Sequence, residues 1–204
     1  MVLLAFMPAA AQSLTVGVKL GVPMTDAFIL NNGASSINNY TFDTLRYTVG
    51  PTVELGLPLG LTLETDALYK RLRYDSYPFG FDTFRAETTA DSWEFPFLLK
   101  RRLPRVPLHP HGSLGVSLRH VSGSTYYTNG EFQSTQEIQE LVNTWSTGFA
   151  VGGGTEITAG MIHVTPEIRY TRWATENFRS PNAVLASNRD AVDFLIGVTF
   201  HKKP

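Results

Sequence analysis

The chain contains no cysteine. That removes disulfides, thiolate nucleophiles and Cys-ligated metal. It is compatible with an oxidising periplasmic route without requiring one. Charge is scarce too: Asp, Glu, Lys and Arg supply 17% of 204 residues, against roughly 25% in soluble domains. The charges nearly cancel, at net −1, which argues against nucleic acid as a partner, since its binders carry a basic face. No run reaches the ~18 apolar residues of a membrane-spanning helix. Enzymatic signatures are also missing. There is no His-Glu-x-x-His and no Gly-x-Ser-x-Gly. Gly152-Gly153-Gly154 lies within a strand-like segment, not between a strand and a helix, so it is no phosphate loop. No cofactor is expected. The histidines are His109, His111, His120, His163 and His201, and none forms a ligand pair on one helix. His109 and His111 stand two apart in a turn, a poor metal site, and no metal is expected.

What the chain has is alternation. In the last stretch, Ala191 to Phe200, every second residue is apolar: Val192, Phe194, Ile196, Val198 and Phe200. Between them lie Asp193, Leu195, Gly197 and Thr199. This is the period of a strand with two unlike faces. Seven earlier stretches repeat it: Leu14 to Val22, Arg46 to Leu55, Leu61 to Arg73, Ser92 to Lys100, Pro107 to Val121, Thr144 to Glu156 and Met161 to Trp173. Pro51 sits inside the second strand and removes one ladder bond there.

The connections alternate in length. Long ones run from Pro23 to Leu45, Tyr74 to Asp91, Ser122 to Asn143 and Ala174 to Asp190. They are rich in Asn, Ser, Thr, Gly and aromatics and read as loops. The third has helical spacing of Ile138, Leu141 and Val142, which predicts a helical turn near Gln136 to Val142. Short turns occupy Gly56 to Gly60, Arg101 to Val106 and Ile157 to Gly160. An even number of alternating strands with long and short connections in turn is the pattern of a membrane barrel. Tyr47, Trp93 and Trp145 begin strands after long loops, and Tyr69 and Tyr170 end strands before them. All five fall at one rim, where amphipathic rings prefer the headgroup level. The expected fold is all-β: an eight-stranded antiparallel up-and-down transmembrane β-barrel over residues 12–204.

Residues 1–11 differ in kind. Val2 to Met7 is apolar, and Pro8 and Ala9-Ala10-Ala11 follow. This reads as the end of a secretory signal peptide without its basic start, cleaved after Ala11.

The inward set of the strands carries Lys19, Glu54, Glu64, Asp66, Lys70, Glu94, Lys100, Arg119, Glu156, Glu167, Arg169 and Asp193. An eight-stranded barrel is just wide enough for side chains to fill. Buried charges must then pair, because removing each from water costs several kcal/mol. A plugged, ionic interior is expected.

Three resemblances add to this reading. The terminal strand resembles the C-terminal signature of bacterial outer-membrane barrels, which ends on an aromatic, here Phe200; His201-Lys202-Lys203-Pro204 departs from it. Trp93-Glu94-Phe95-Pro96-Phe97-Leu98-Leu99-Lys100 resembles a strand of the outer-membrane β-barrel domain family of Bacteroidetes and related phyla. That resemblance implies an outer-membrane location in a Gram-negative cell. It also implies outer-membrane lipids as partners, assembly by the barrel assembly machinery through the last strand, and a surface ligand of the loops. His120-Val121-Ser122 resembles the His-x-Ser pair of lipid A 3-O-deacylases, in which the His is base and the Ser nucleophile. Here Gly123 replaces the usual Asn, and no acidic partner is placed to orient the base; Glu131 is a candidate. The expected function is a non-enzymatic structural or adhesive barrel; the alternative is a lipid-modifying barrel enzyme.

Overall fold

The computed structural model describes residues 13–30, 38–44, 47–78, 84–103, 109–129, 132–181 and 184–201. Residues 1–11, expected to be a leader, Glu131 and residues 202–204 lie outside the described residues. Fourteen strands are present among those described: β1 (Ser13–Pro23), β2 (Phe28–Leu30), β3 (Asn38–Thr44), β4 (Thr48–Gly56), β5 (Leu61–Asp66), β6 (Leu68–Pro78), β7 (Phe84–Arg102), β8 (Pro110–Asn129), β9 (Phe132–Gln136), β10 (Trp145–Thr155), β11 (Ile157–Ala159), β12 (Ile162–Trp173), β13 (Leu185–Ser187) and β14 (Asp190–His201).

Eight positions form an antiparallel ring: β1, β4, β5 with β6, β7, β8, β10, β12 and β14. β14 then pairs β1, with Val18 opposite Val198, and the ring is closed. Closure is what hydrocarbon demands, since an open edge would leave amides and carbonyls with no partner. No helix among the described residues is long and apolar enough to cross a membrane. The eight-stranded fold class therefore holds for the staves.

The strand count differs, for identifiable reasons. β5 and β6 are one stave interrupted at Ala67. Both keep one register against β7. Opposite the break stands Pro51, which accepts from the Ala67 amide at 3.0 Å but has no N–H to give back. Beside it Gly50 lies so close that a Cβ there would meet the Ala67 oxygen at 1.8 Å. β11 only lengthens the turn hairpin, which closes at Gly160 with φ 67°.

The other extra strands correct the expected loops. β6, β7 and β8 continue well past the barrel, and β3 and β9 pair their outer edges into one five-stranded sheet. The alternation there is carried by Tyr74, Ser76, Ala86, Thr88 and Ala90, all buried. Polar composition hid it. Thr is β-branched and fits a strand as well as Val does. The helical turn expected near Gln136 to Val142 is a single turn at 139–140, with the Leu141 amide on the Ile138 carbonyl at 3.3 Å. The short basic turn is likewise shorter than expected, because β7 runs on to Arg102.

Above the barrel mouth the loops fold onto this sheet. β2 pairs β13, and Phe28 packs edge-on against Tyr74 and Phe178, each at 5.3 Å. Tyr40, Ala90, Val121, Ile138 and Leu185 complete an apolar cap. Tyr74 donates to Glu140 at 2.9 Å. Burial and that carboxylate push the Tyr74 phenol well above its usual range. The outer wall is the reverse of a soluble barrel. Leu14, Val16, Val18 and Leu20 of β1 and Phe194, Ile196 and Phe200 of β14 all point outward.

A closed ring has no strand that peels off cheaply. The folded protein is expected to migrate faster unboiled than boiled on denaturing gels. Limited proteolysis should spare the eight staves below the rim; early cleavage inside β12 or β14 would contradict closure.

Candidate functional site

Inward residues of the staves alternate with the lipid-facing ones, so the charges of the expected inward set converge on the axis. All twelve are buried. They divide into two nests. The nest nearer the short turns centres on Glu64. Lys19 donates to Glu64, to Asp66 at 3.2 Å and to Glu167 at 3.3 Å. Arg169 donates to Glu167 at 2.9 Å and to Asp66 and Glu64 at 2.8 Å each. Lys100 bridges Glu54 at 2.7 Å and the second oxygen of Glu64 at 2.8 Å. Arg102 holds Glu54 at 2.5 Å and Glu156 at 2.8 Å, and His163 meets Glu156 at 3.0 Å.

The nest nearer the loops is smaller. Lys70 sits between Asp193 at 2.9 Å and Glu94 at 3.2 Å. Arg119 approaches Glu94 at 3.4 Å and lies over the Trp173 ring at 3.6 Å. Its Nη1 donates to Asn177 at 3.3 Å, and Asn177 also accepts from Ser146 at 3.1 Å. Leu98, Leu195, Ala150 and Trp173 fill the remaining width. Every charged side chain of the expected set thus has an opposite charge beside it, while buried polar atoms such as both His111 ring nitrogens and the Trp173 indole N–H make no hydrogen bond among the described residues.

Several members lie beyond the expected inward set. Arg102 falls in a segment whose composition reads as a turn. His111 and His163 face inward as well, beside the charged residues. Trp173 shares the odd-numbered inward phase of Arg169 and Thr171, so period alone would have placed it inside.

The aromatic residues form a row at the loop-side rim. Tyr47 and Tyr69 are 6.3 Å apart and Tyr69 and Trp93 5.2 Å. Trp93 stands across from His120, and His120 packs on Trp145 at 4.6 Å. Tyr170 is on the far wall, donating to Asp190 at 2.6 Å. Apolar walls, a rim of rings and a closed ring together describe a protein made for hydrocarbon.

Residues 10–173 match the outer membrane protein beta-barrel domain family. The chain belongs to that family. The crystal structure of the outer membrane protein OprG from Pseudomonas aeruginosa is similar over 94% of this chain and 95% of that chain, with a TM-score of 0.54 and 14% identity. Neisserial surface protein A is similar over 93% and 97%, with a TM-score of 0.42 and 11% identity. AlkL is similar over 94% and 90%, with a TM-score of 0.39 and 10% identity. The OprG likeness, at its identity, speaks to the fold alone. No curated protein matches the chain. As an outer-membrane barrel it resides in the bacterial outer membrane, in contact with that membrane's lipids.

On this outer-membrane barrel, His120 and Ser122 share the lipid-facing side of β8. Ser122 is exposed and lies across from Asp91, which is engaged by the Tyr69 hydroxyl at 2.5 Å. Among the described residues no hydrogen bond joins His120 to Ser122 or either one to a carboxylate. Base and nucleophile, which hydrolysis needs in contact, are not joined, and His120 is instead a member of the aromatic row. His109 is exposed at a turn with φ 36°, whereas His111 is buried inside. Among the described residues no cluster of His, Asp and Glu could hold a metal.

Arg169→Ala takes one cation from three carboxylates and leaves Lys19 as the partner common to all three, so the buried nest keeps one uncompensated negative charge. The expected loss is about 3 to 5 kcal/mol, the cost of leaving a buried charge unpaired. Urea titration of the barrel folded into lipid vesicles measures it. An unchanged midpoint would show that the nest adds nothing to stability.

Proposed function

We propose that the protein is a non-enzymatic outer-membrane barrel, closed to permeation, that anchors and displays a rigid surface platform for recognition. The observation that carries this is the lumen: two ionic nests and an apolar cap lie in series along the axis. An eight-stranded ring is just wide enough for side chains to fill, and the cavity of about 40 Å³ beside Lys70, Glu94 and Asp193 is far too small to be a continuous channel. The platform is the five-stranded sheet beyond the rim, whose edge strand β9, Phe-Gln-Ser-Thr-Gln, is exposed throughout. Tyr, Ser, Asn and Thr at such a surface suit contact with a ligand at low entropic cost.

Planar-bilayer recording tests the closed lumen. The expected trace shows no stable, porin-like steps. Large and long-lived open channels from the unmutated protein would sink the reading.

Assembly through the last strand belongs to the same proposal. Phe200 ends the outward row of β14 and pairs with Val16 of β1 and Ile162 of β12. Phe200→Ala should slow insertion by the assembly machinery more than Phe194→Ala does, read as the heat-shifted fraction in membranes. Equal insertion of the two variants would remove that role from Phe200.

A further inference from the structure

The outer wall is not uniformly convex. A groove opens on its lipid-facing side where β8, β10 and β12 run side by side, lined by Val116, Leu118, Thr147 and Phe149. Register explains its shape. Leu118 stands across from Thr147, and the Ala174 amide bonds the Thr147 carbonyl at 2.8 Å. Two small side chains, Thr147 and Ala174, therefore follow the larger Leu118 along one cross-strand row. The row below is Val116, Phe149 and Arg172. The row above is His120 with Trp145, the ring level of the rim.

Two arginines, Arg172 and Arg189, border the groove on its β12 side. Arg172 is half exposed and pairs Asp190. Arg189 donates to the Trp173 carbonyl at 3.0 Å and the Ala174 carbonyl at 2.8 Å. No carboxylate lies within ion-pair distance of Arg189 among the described residues. Arg172, Arg189 and Asp190 thus leave one positive charge in excess beside an apolar groove, at headgroup depth.

We propose that this groove is a specific site for a phosphorylated, acylated glycolipid of the lipid A type. An acyl chain lies along Val116, Leu118, Thr147 and Phe149, and a phosphate meets Arg189 and Arg172. Two features select this occupant. The groove is open to lipid and lies at the loop-side rim, in the outer leaflet, where lipid A is the phosphate-bearing lipid. The excess charge complements a phosphate, and basic pockets at the bilayer surface bind such headgroups. Arg offers a planar fork that matches a phosphate with two hydrogen bonds.

The test is native mass spectrometry of the folded barrel in detergent, titrated separately with lipid A, phosphatidylglycerol and inorganic phosphate. Lipid A should be retained in preference to the other two. Arg189→Gln should weaken its retention about fivefold, the value of one basic residue near an anionic headgroup. Thr147→Trp fills the groove while keeping both arginines in the sequence, and should weaken it at least as much. Heat-shifted migration controls for folding of both variants. Undiminished lipid A retention by folded Thr147→Trp would overturn the site. So would equal retention of phosphatidylglycerol, or binding of inorganic phosphate alone as strong as that of lipid A.

Discussion

A backbone amide in hydrocarbon has no water to fall back on, and everything else in this structure follows from that. Each stave must be paired on both sides, so the eight staves close on one another with β14 bonded to β1. Closure fixes the diameter, and the diameter fixes what the inside can be. Every second residue then points into a space that lipid cannot enter and bulk water scarcely can. Charges placed there either find each other or unfold the ring. Lys19, Lys100, Arg102 and Arg169 find Glu54, Glu64, Asp66, Glu156 and Glu167. The carboxylates outnumber the cations by one, and Glu156 has a further hydrogen-bonding contact with His163.

The fold was largely legible because period 2 survives any composition. Val18, Leu20 and Phe194 announce the wall as clearly as Lys19 and Asp193 announce the interior. Legibility failed where polarity was read in place of period. Thr88 and Ser76 look like loop residues, yet they line the inner face of strands that carry the barrel beyond the membrane. Tertiary pairing, not local propensity, decides the state of such segments: Thr88 and Thr125 share a hydrogen bond at 2.9 Å across two strands. Ile138 and Leu141 misled in the opposite direction. Their spacing suits a helix, but a single turn suffices to tuck Ile138 into the cap.

The interior charges were visible as a set but not as a wiring diagram. Nothing in one sequence says that Lys100 would bridge Glu54 and Glu64, because that depends on shear between staves. Arg102 is hidden because Arg101 to Val106 has the composition of a turn, whereas β7 pairs on to Arg102. Trp173 is enclosed, in the inward phase that its period gives it, and receives the Arg119 guanidinium. His120 shows the converse. Its neighbour Ser122 suggested chemistry, while its cross-strand partners Trp93 and Trp145 make it one more ring among rings.

The wiring of the nests also imposes an order in time. Lys19 lies on the first stave, and its partners Glu64 and Asp66 follow within the first third of the chain, but Glu167 and Arg169 arrive only with the seventh stave. Until then Glu64, Glu54 and Asp66 face Lys19, Lys100 and Arg102, three charges of each sign, and the half-built lumen lacks partners in place rather than charge in sum. Lys70 has Glu94 on the fourth stave, and its second partner, Asp193, comes with the final one. A partly inserted chain therefore holds an incomplete ion-pair network. The last two staves bring Glu167, Arg169 and Asp193 along with the missing edge, so the chain completes the wiring of its core in the same act that seals its wall.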